Sequence, residues 1–312
     1  MGMKRTVSRK KALRTAAISV MLQTVGKDLT MLKEGISATE SIDAPVGDLS
    51  QLIYGNKHTV EIAEIMQHIA LQGIVHPTSP RPIQVVSDID DTLYAGWMDK
   101  RYPAHEIYPG VVEIFQLISR NSNTSTTFLT ARPRGWWSIG QRLTVRHLVH
   151  VGIDSPQVLA GSLKGLTSNT RIAELKMENF RKYVTLYPEY NFVFFGDSSQ
   201  GDALLALKMN QQFPDKMKGT FIHNVTPELS ATGDGGCKVE YGSKGIDFFT
   251  TYLGAGIAAS KAGLIDPTSL QSLVLSCQTT LQSMTFKSEK DRRNRQDELS
   301  LDMKRIKEIL QI

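Results

Sequence analysis

Between Ile83 and Ile222 the chain alternates short apolar runs with longer segments of helical spacing, and this alternation restricts its fold more than any other feature. The runs are Ile83-Gln84-Val85-Val86-Ser87, Thr126-Thr127-Phe128-Leu129-Thr130, Gln157-Val158-Leu159, Asn191-Phe192-Val193-Phe194-Phe195 and Thr220-Phe221-Ile222. Helical patterns fill the gaps over Val111–Ser119, about 139–151, 172–186 and 203–209. Strands of about five residues separated by helices of about 10–15 residues predict right-handed βαβ units, and hence an α/β fold with a doubly wound parallel sheet.

In an open sheet of this kind ligands bind at the carboxyl ends of the strands, and those ends are where the polar residues fall. The first run ends in Asp88-Ile89-Asp90-Asp91-Thr92. The second ends in Thr130, followed by Ala131-Arg132-Pro133, and the fourth ends in Gly196-Asp197 with Asp202 five residues on. Carboxylates gathered at one sheet edge repel by about 4 kcal/mol per pair at about 4 Å and an effective dielectric near 20. A hard divalent cation such as Mg²⁺ suits oxygen ligands and offsets that repulsion. Carboxylates plus Mg²⁺ at a strand edge make a site for phosphate.

These motifs, in this order, resemble the haloacid dehalogenase superfamily of phosphohydrolases. The resemblance implies a Rossmann-like sheet with a minimal cap, flanked here by N- and C-terminal helices. It implies Asp88 as nucleophile, Asp90 as general acid and base, and Thr130 and Lys176 as phosphoryl-binding groups. Lys164 and Lys182 are rivals to Lys176, since a lone lysine is not placed by pattern. The same resemblance implies Mg²⁺ held by Asp88, the backbone carbonyl of Asp90 and Asp197, with Asp202 helping to orient ligands or water. Longer strings are similar to the lipin-related phosphatidate phosphatase catalytic domain of the actin-patch-protein type: Ser87–Thr92, Asp99-Lys100-Arg101-Tyr102-Pro103, Tyr108-Pro109-Gly110, Phe195–Asp202 and Phe248–Gly254. That likeness covers about residues 83–265 and implies a phosphorylated lipid as substrate, met at a membrane surface. Thr92, Arg132, Lys100 and Arg101 are the expected substrate contacts. Tyr94, Trp97, Lys100 and Arg101 would line the mouth of a site left open by the short segment between the first two strands.

The rest of the chain reads as helices. Apolar spacing predicts one amphipathic helix over about 10–36, a second closing near Gly73, and a proline-rich linker at 76–82. Further helices are predicted over about 246–262, 269–284 and 288–310. The expected division is a helical region at 1–80, the phosphatase domain at 81–265 and a helical extension at 266–312. Six basic residues and no acidic ones lie in residues 1–14, so the +5 total reduces to −1 for the remainder. That near-neutral body gives no case for nucleic acid as a partner. The basic N-terminus suits contact with an anionic membrane surface, and Met1-Gly2-Met3-Lys4-Arg5-Thr6 fits the N-myristoylation pattern. The same composition fits a mitochondrial transit peptide or a basic helix docked on the catalytic domain. No stretch approaches the roughly 18–20 uncharged apolar residues of a membrane span. Cys237 and Cys277 offer no disulfide framework, which suits a reducing, cytoplasmic setting.

Other features read more plainly. His147 and His150 lack a third metal ligand, Gly233–Gly236 is a turn, and Trp136 and Trp137 are expected to pack in the core rather than face lipid. Two further functions are compatible with the motifs: hydrolysis of a soluble phosphomonoester or phosphoprotein, and non-catalytic lipid sensing. Retention of both Asp88 and Asp90 argues against the sensor, which needs no paired nucleophile and acid.

Overall fold

The computed structural model describes residues 2–38, 49–54, 59–76, 80–96, 98–120, 122, 124, 126–133, 149, 152–153, 157–161, 168–199, 201–225 and 241–311. Trp97, Trp136, Trp137, His147, His150, Lys164, Gly233–Gly236 and Cys237 lie outside them, as does nearly all of the helix expected at about 139–151. Two compact units divide the chain: Met1–Arg81 with Glu178–Tyr190, and Pro82–Met177 with Asn191–Ile312.

The second unit holds a six-stranded parallel sheet of order β3-β2-β1-β4-β5-β6. Its strands are β1 (Ile83–Ser87), β2 (Thr127–Pro133), β3 (Gln157–Gly161), β4 (Asn191–Asp197), β5 (Met217–His223) and β6 (Asp247–Phe249). From β1 the chain moves outward to β2 and β3, then returns to lay β4 on the other side of β1. That reversal places a topological switch point between β1 and β4, where a ligand crevice forms at the carboxyl ends.

Aromatic packing holds β4 at the centre. Phe195 lies 5.0 Å from Phe115 on one neighbouring element and 5.0 Å from Phe221 of β5, ring centre to ring centre. Phe115 belongs to the helix Val111–Ser119, whose Val111, Ile114, Phe115 and Ile118 recur at helical spacing and are all buried. Each such side chain contributes about 1.5–3 kcal/mol on full burial.

The sixth strand departs from the expected helix at 246–262. Asp247–Phe249 pairs with β5 in the register Phe221↔Asp247 and His223↔Phe249, and the helix starts only at Tyr252. Phe248, Phe249, Thr250 and Thr251 favour extended backbone. Thr251 then caps the helix, its hydroxyl accepting the Gly254 amide proton. Beyond it the helices Leu270–Ser283 and Glu289–Leu310 belong to the same unit as the sheet.

The first unit contains the helices Gly2–Gln23, Gly26–Ala38, Leu49–Tyr54 and Thr59–Val75. The single helix expected at 10–36 is therefore broken. Gly26 has φ +53°, and its amide donates to Gln72 Oε1 at 2.9 Å, while His68 Nε2 donates to the Thr24 carbonyl at 2.8 Å. Side chains of the fourth helix thus hold the turn that the apolar periodicity ran through. Within this unit buried Lys33 donates to Glu189 at 2.7 Å and to the Leu186 carbonyl at 2.8 Å.

Candidate active site

β1 and β4 run in register through Ser87↔Phe195, and the Asp88 amide donates to the Phe195 carbonyl at 2.9 Å. The next residue of each strand end is therefore acidic or leads to an acid: Asp88 on one, Gly196-Asp197 on the other. The helix Asp202–Gln212 then begins with a third carboxylate. Gly196 permits that approach, because a Cβ there would lie 2.6 Å from Asp202 Cβ and 2.8 Å from its Oδ2.

Asp88, Asp197 and Asp202 are all buried and offer oxygens within 4.8 Å of one another. Lys176 joins them from the helix Asn169–Leu186, its Nζ 2.9 Å from Asp88 Oδ1 and 2.6 Å from Asp202 Oδ1. Only 2% of Lys176 is exposed, and burial alone would lower its pKa. The carboxylates of Asp202 and Asp88 outweigh burial and raise it, so the ammonium is retained. Asp202 is pushed up to about 6 by burial and by Asp88, against the pull of Lys176. Asp197 is also raised well above the usual carboxyl value, by burial and then by Asp202 and Asp88. Its Oδ1 accepts the Ser199 amide and hydroxyl, while Oδ2 is buried with no hydrogen-bond partner among the described residues. Three carboxylates thus face one ammonium, leaving two negative charges and one orphaned oxygen. That donor set fits a hard divalent cation.

The turn after β1 is fastened from several sides. Asp91 has φ +57°, a left-handed conformation that Asp tolerates better than most residues. Its buried carboxylate accepts the amides of Gly96, Met98 and Asp99 at 2.9, 3.1 and 3.0 Å. Its carbonyl faces His223 Nδ1 at 3.1 Å. Burial and the Arg101 charge push the His223 pKa down to about 4, so the ring is neutral. Nε2 lies 3.3 Å from the Thr250 carbonyl, an acceptor, and 3.4 Å from Arg101 Nη2, a donor, so the one N–H of the neutral ring serves either Asp91 through Nδ1 or Thr250 through Nε2. The Tyr252 hydroxyl donates to the Thr92 carbonyl. Asp90 is buried, with Oδ1 accepting the Tyr94 hydroxyl at 3.2 Å.

The structure brings some of the expected residues together and separates others. Asp88, Asp197, Asp202 and Lys176 converge, with Asp90 two residues along the same turn. Thr130 is buried two residues beyond Phe128, the β2 partner of Ser87, and so lies at the same end of the sheet. Thr92 is buried with no hydrogen-bond partner for its hydroxyl among the described residues. Arg101 is tied to Asp99, whose Oδ1 and Oδ2 accept its Nε and Nη2 at 2.9 and 2.8 Å, and Tyr108 donates to the same carboxylate; Arg101 Nη1 is buried with no partner among the described residues. Lys100 is exposed. Arg132 has its backbone in β2, but its side chain lies outside the described residues, as does all of Lys164. Lys182 pairs with Glu178 at 2.7 Å. Sequence reasoning missed Asp91, Asp99, Ser199 and His223. For Asp91 the signal was available, since a third acid inside the first motif has no motif role to explain it.

Residues 83–224 match the family model described as phosphatidate phosphatase APP1, catalytic domain. Over those residues the match supports a phosphatase domain of that type. Comparison with curated proteins and with solved structures returned no match. The matched phosphatidate phosphatase segment opens on the first residue of β1 and closes just past β5, so it contains every converging carboxylate and Lys176. β6 and the C-terminal helices, which supply Tyr252, lie beyond it. No helix among the described residues is long and apolar enough to cross a membrane.

Proposed function

We propose that the chain is a Mg²⁺-dependent phosphatidate phosphatase acting through an aspartyl-phosphate on Asp88. The observation that carries this reading is the uncompensated charge among the described residues: three buried carboxylates around one ammonium, with Asp197 Oδ2 unpartnered. Mg²⁺ would be held by Asp88, the Asp90 carbonyl and Asp197. Bound there, it supplies positive charge that shields the phosphoryl oxygens from the attacking carboxylate.

In the first step an Asp88 oxygen forms a bond to phosphorus as the ester P–O bond breaks. Asp90 gives its proton to the departing alkoxide. In the second, Asp90, now ionised, takes a proton from water as that water attacks the aspartyl-phosphate and frees Asp88. Lys176 holds Asp88 Oδ1 and is anchored by Asp202, so it orients the nucleophile and offers N–H donors to the transferring oxygens; Thr130 offers a hydroxyl there. Such preorganised donors act where charge develops. Asp202 has both oxygens engaged, with Lys176 and with the Asp197 amide at 3.3 Å, which suits it to positioning. The family's description supports phosphatidate as substrate. A lipid substrate sets the working site at a membrane surface, to which the basic residues of 1–14 add attraction.

The test is phosphate release by the full chain from phosphatidate in mixed micelles, with Mg²⁺ and with chelator. Release that requires Mg²⁺, and is abolished in Asp88→Asn with unchanged circular dichroism, is expected. Appreciable turnover by Asp88→Asn would refute the nucleophile. Release from p-nitrophenyl phosphate but not from phosphatidate would move the substrate to the soluble class.

A further inference from the structure

The turn after β1 takes one of its hydrogen bonds from a side chain beyond the matched segment. We infer that Tyr252 is a positioning residue for the cation site, its phenol fixing the Thr92 carbonyl and with it the backbone path through Asp90. The inference rests on the assignment of the Asp90 carbonyl as a Mg²⁺ ligand.

The carbonyls of this turn are met in two ways. Those of Ile89, Leu93 and Tyr94 accept backbone amides, from Leu93 at 2.9 Å, Tyr108 at 3.1 Å and Asp91 at 2.9 Å. The Thr92 carbonyl accepts the Tyr252 hydroxyl instead, and no backbone amide among the described residues meets it. Thr92 is wholly buried, so solvent does not stand in for the phenol. Between Thr92 and Asp90 lies Asp91 with φ +57°. That torsion sets the peptide bearing the Asp90 carbonyl against the rest of the turn. A left-handed conformation at a residue other than glycine persists only where its surroundings over-determine it. The phenol on Thr92 is one of those constraints. Without it Thr92 turns toward another donor, Asp91 relaxes, and the Asp90 carbonyl swings with it.

Tyr252 keeps its direction because its ring is enclosed. It is buried among Phe249, His223 and Phe195, with centroids 4.9, 5.6 and 6.3 Å away. It opens the helix Tyr252–Lys261, whose start is fixed by the Thr251 cap. That helix is seated closely on the next one, since a Cβ on Gly256 would lie 2.4 Å from Leu273 Cδ2.

Loss of the phenol has a signature that general destabilisation lacks. In the cation-free protein the turn relaxes, whereas binding the cation needs the carbonyl in its original direction. The cost of restoring it therefore appears in the Mg²⁺ affinity. The experiment titrates Mg²⁺ into the full chain by calorimetry, without substrate, for wild type, Tyr252→Phe, Asp302→Ala and Asp197→Asn, each checked by circular dichroism. Asp302→Ala is the stability control, because it removes a contact to Thr251 and none to the turn.

Tyr252→Phe is expected to bind Mg²⁺ about tenfold more weakly, the affinity being scaled down by the fraction of protein with the turn in place. Saturating Mg²⁺ should bring its phosphate release back to within about twofold of wild type, since excess ligand repopulates the competent turn. Asp302→Ala should bind as wild type does. Unchanged affinity in Tyr252→Phe, or equal weakening in Asp302→Ala, overturns the role of Tyr252. Should Tyr252→Phe not fold, 3-fluorotyrosine at position 252 keeps the ring and donates more strongly; it should bind Mg²⁺ at least as tightly as wild type, and weaker binding overturns the role. If wild type binds no Mg²⁺, or Asp197→Asn binds it equally well, the cation assignment falls, and the inference with it. If those two behave as expected and Tyr252→Phe matches wild type, only the inference falls.

Discussion

Metal-free protein is expected to lose stability as the pH rises from about 4 to 7, and Asp197→Asn is expected to recover much of it. Asp202 stands at about 6 in the folded protein against an ordinary 3.8. The shift of about two units corresponds to about 3 kcal/mol at 1.36 kcal/mol per unit. The sign follows from proton counts. A carboxyl whose folded pKa is raised binds more protons folded than unfolded between those two values. Its favourable contribution is complete below about 4 and is lost as the pH climbs through about 6. Asp197, raised by burial, Asp202 and Asp88, acts in the same direction.

Asparagine at 197 removes one of these charges and keeps an oxygen for the Ser199 amide and hydroxyl that Asp197 Oδ1 now accepts. Urea unfolding in chelator across pH 4–7.5 is the assay, read as the wild-type minus variant difference so that other titrating groups cancel. The variant should be more stable at pH 7, because the burial-raised Asp197 carboxyl no longer has to ionise there, with the gap closing toward pH 4. Adding Mg²⁺ should reverse the order, since saturation at about 100 times Kd adds about 2.7 kcal/mol to a protein that binds the ion. A variant less stable than wild type at pH 7 in chelator would show that the carboxylates are not in conflict, and the charge argument for the cation would fail.

Two other substitutions test the framework. Gly196→Ala puts a methyl group 2.6 Å from Asp202 Cβ; it should lower stability by about 1–3 kcal/mol and cut Mg²⁺-dependent phosphate release more than fold loss accounts for, both checked on one preparation. Asp302 accepts the hydroxyl of Thr251 at 2.7 Å, so Asp302→Ala should lower unfolding free energy in urea by about 2 kcal/mol while leaving Mg²⁺ affinity, measured by calorimetry, unchanged.

Which parts of this architecture are visible in the sequence follows from the range of the interactions involved. β1 and β4 are runs of buried apolar residues with no helical period, so each announces itself locally. β6 does not: Asp247-Phe248-Phe249 is short and runs straight into a helix of apolar and small residues. Only pairing with β5, a contact about 26 residues away in sequence, makes it a strand. The break at Thr24–Val25 is hidden for the same reason, because its hydrogen bonds come from Gln72 and His68. Periodicity records which faces are apolar, not which distant side chain offers a better partner than the next turn of helix.

The site divides along the same line. Asp88 and Asp197 are legible because the chemistry demands carboxylates at fixed places on two adjacent strand ends. Three lysines compete in the sequence because the side chain is long and its helix is placed by tertiary packing; of the two described, Lys176 reaches Asp88 and Asp202, at 2.9 and 2.6 Å, and Lys182 pairs with Glu178. Arg101 shows the converse. A cation just past the turn after β1 looks like a phosphate contact from sequence, and only the structure shows that Asp99, two residues away, takes its Nε and Nη2 in a two-pronged pair while Nη1 has no partner among the described residues. Residues whose work is to hold other residues, such as Asp91, Asp99 and His223, carry no mark of that work in their own identity, since any of several polar side chains satisfies a carbonyl or an amide. They become visible only when the donors and acceptors of the turn are each followed to a partner.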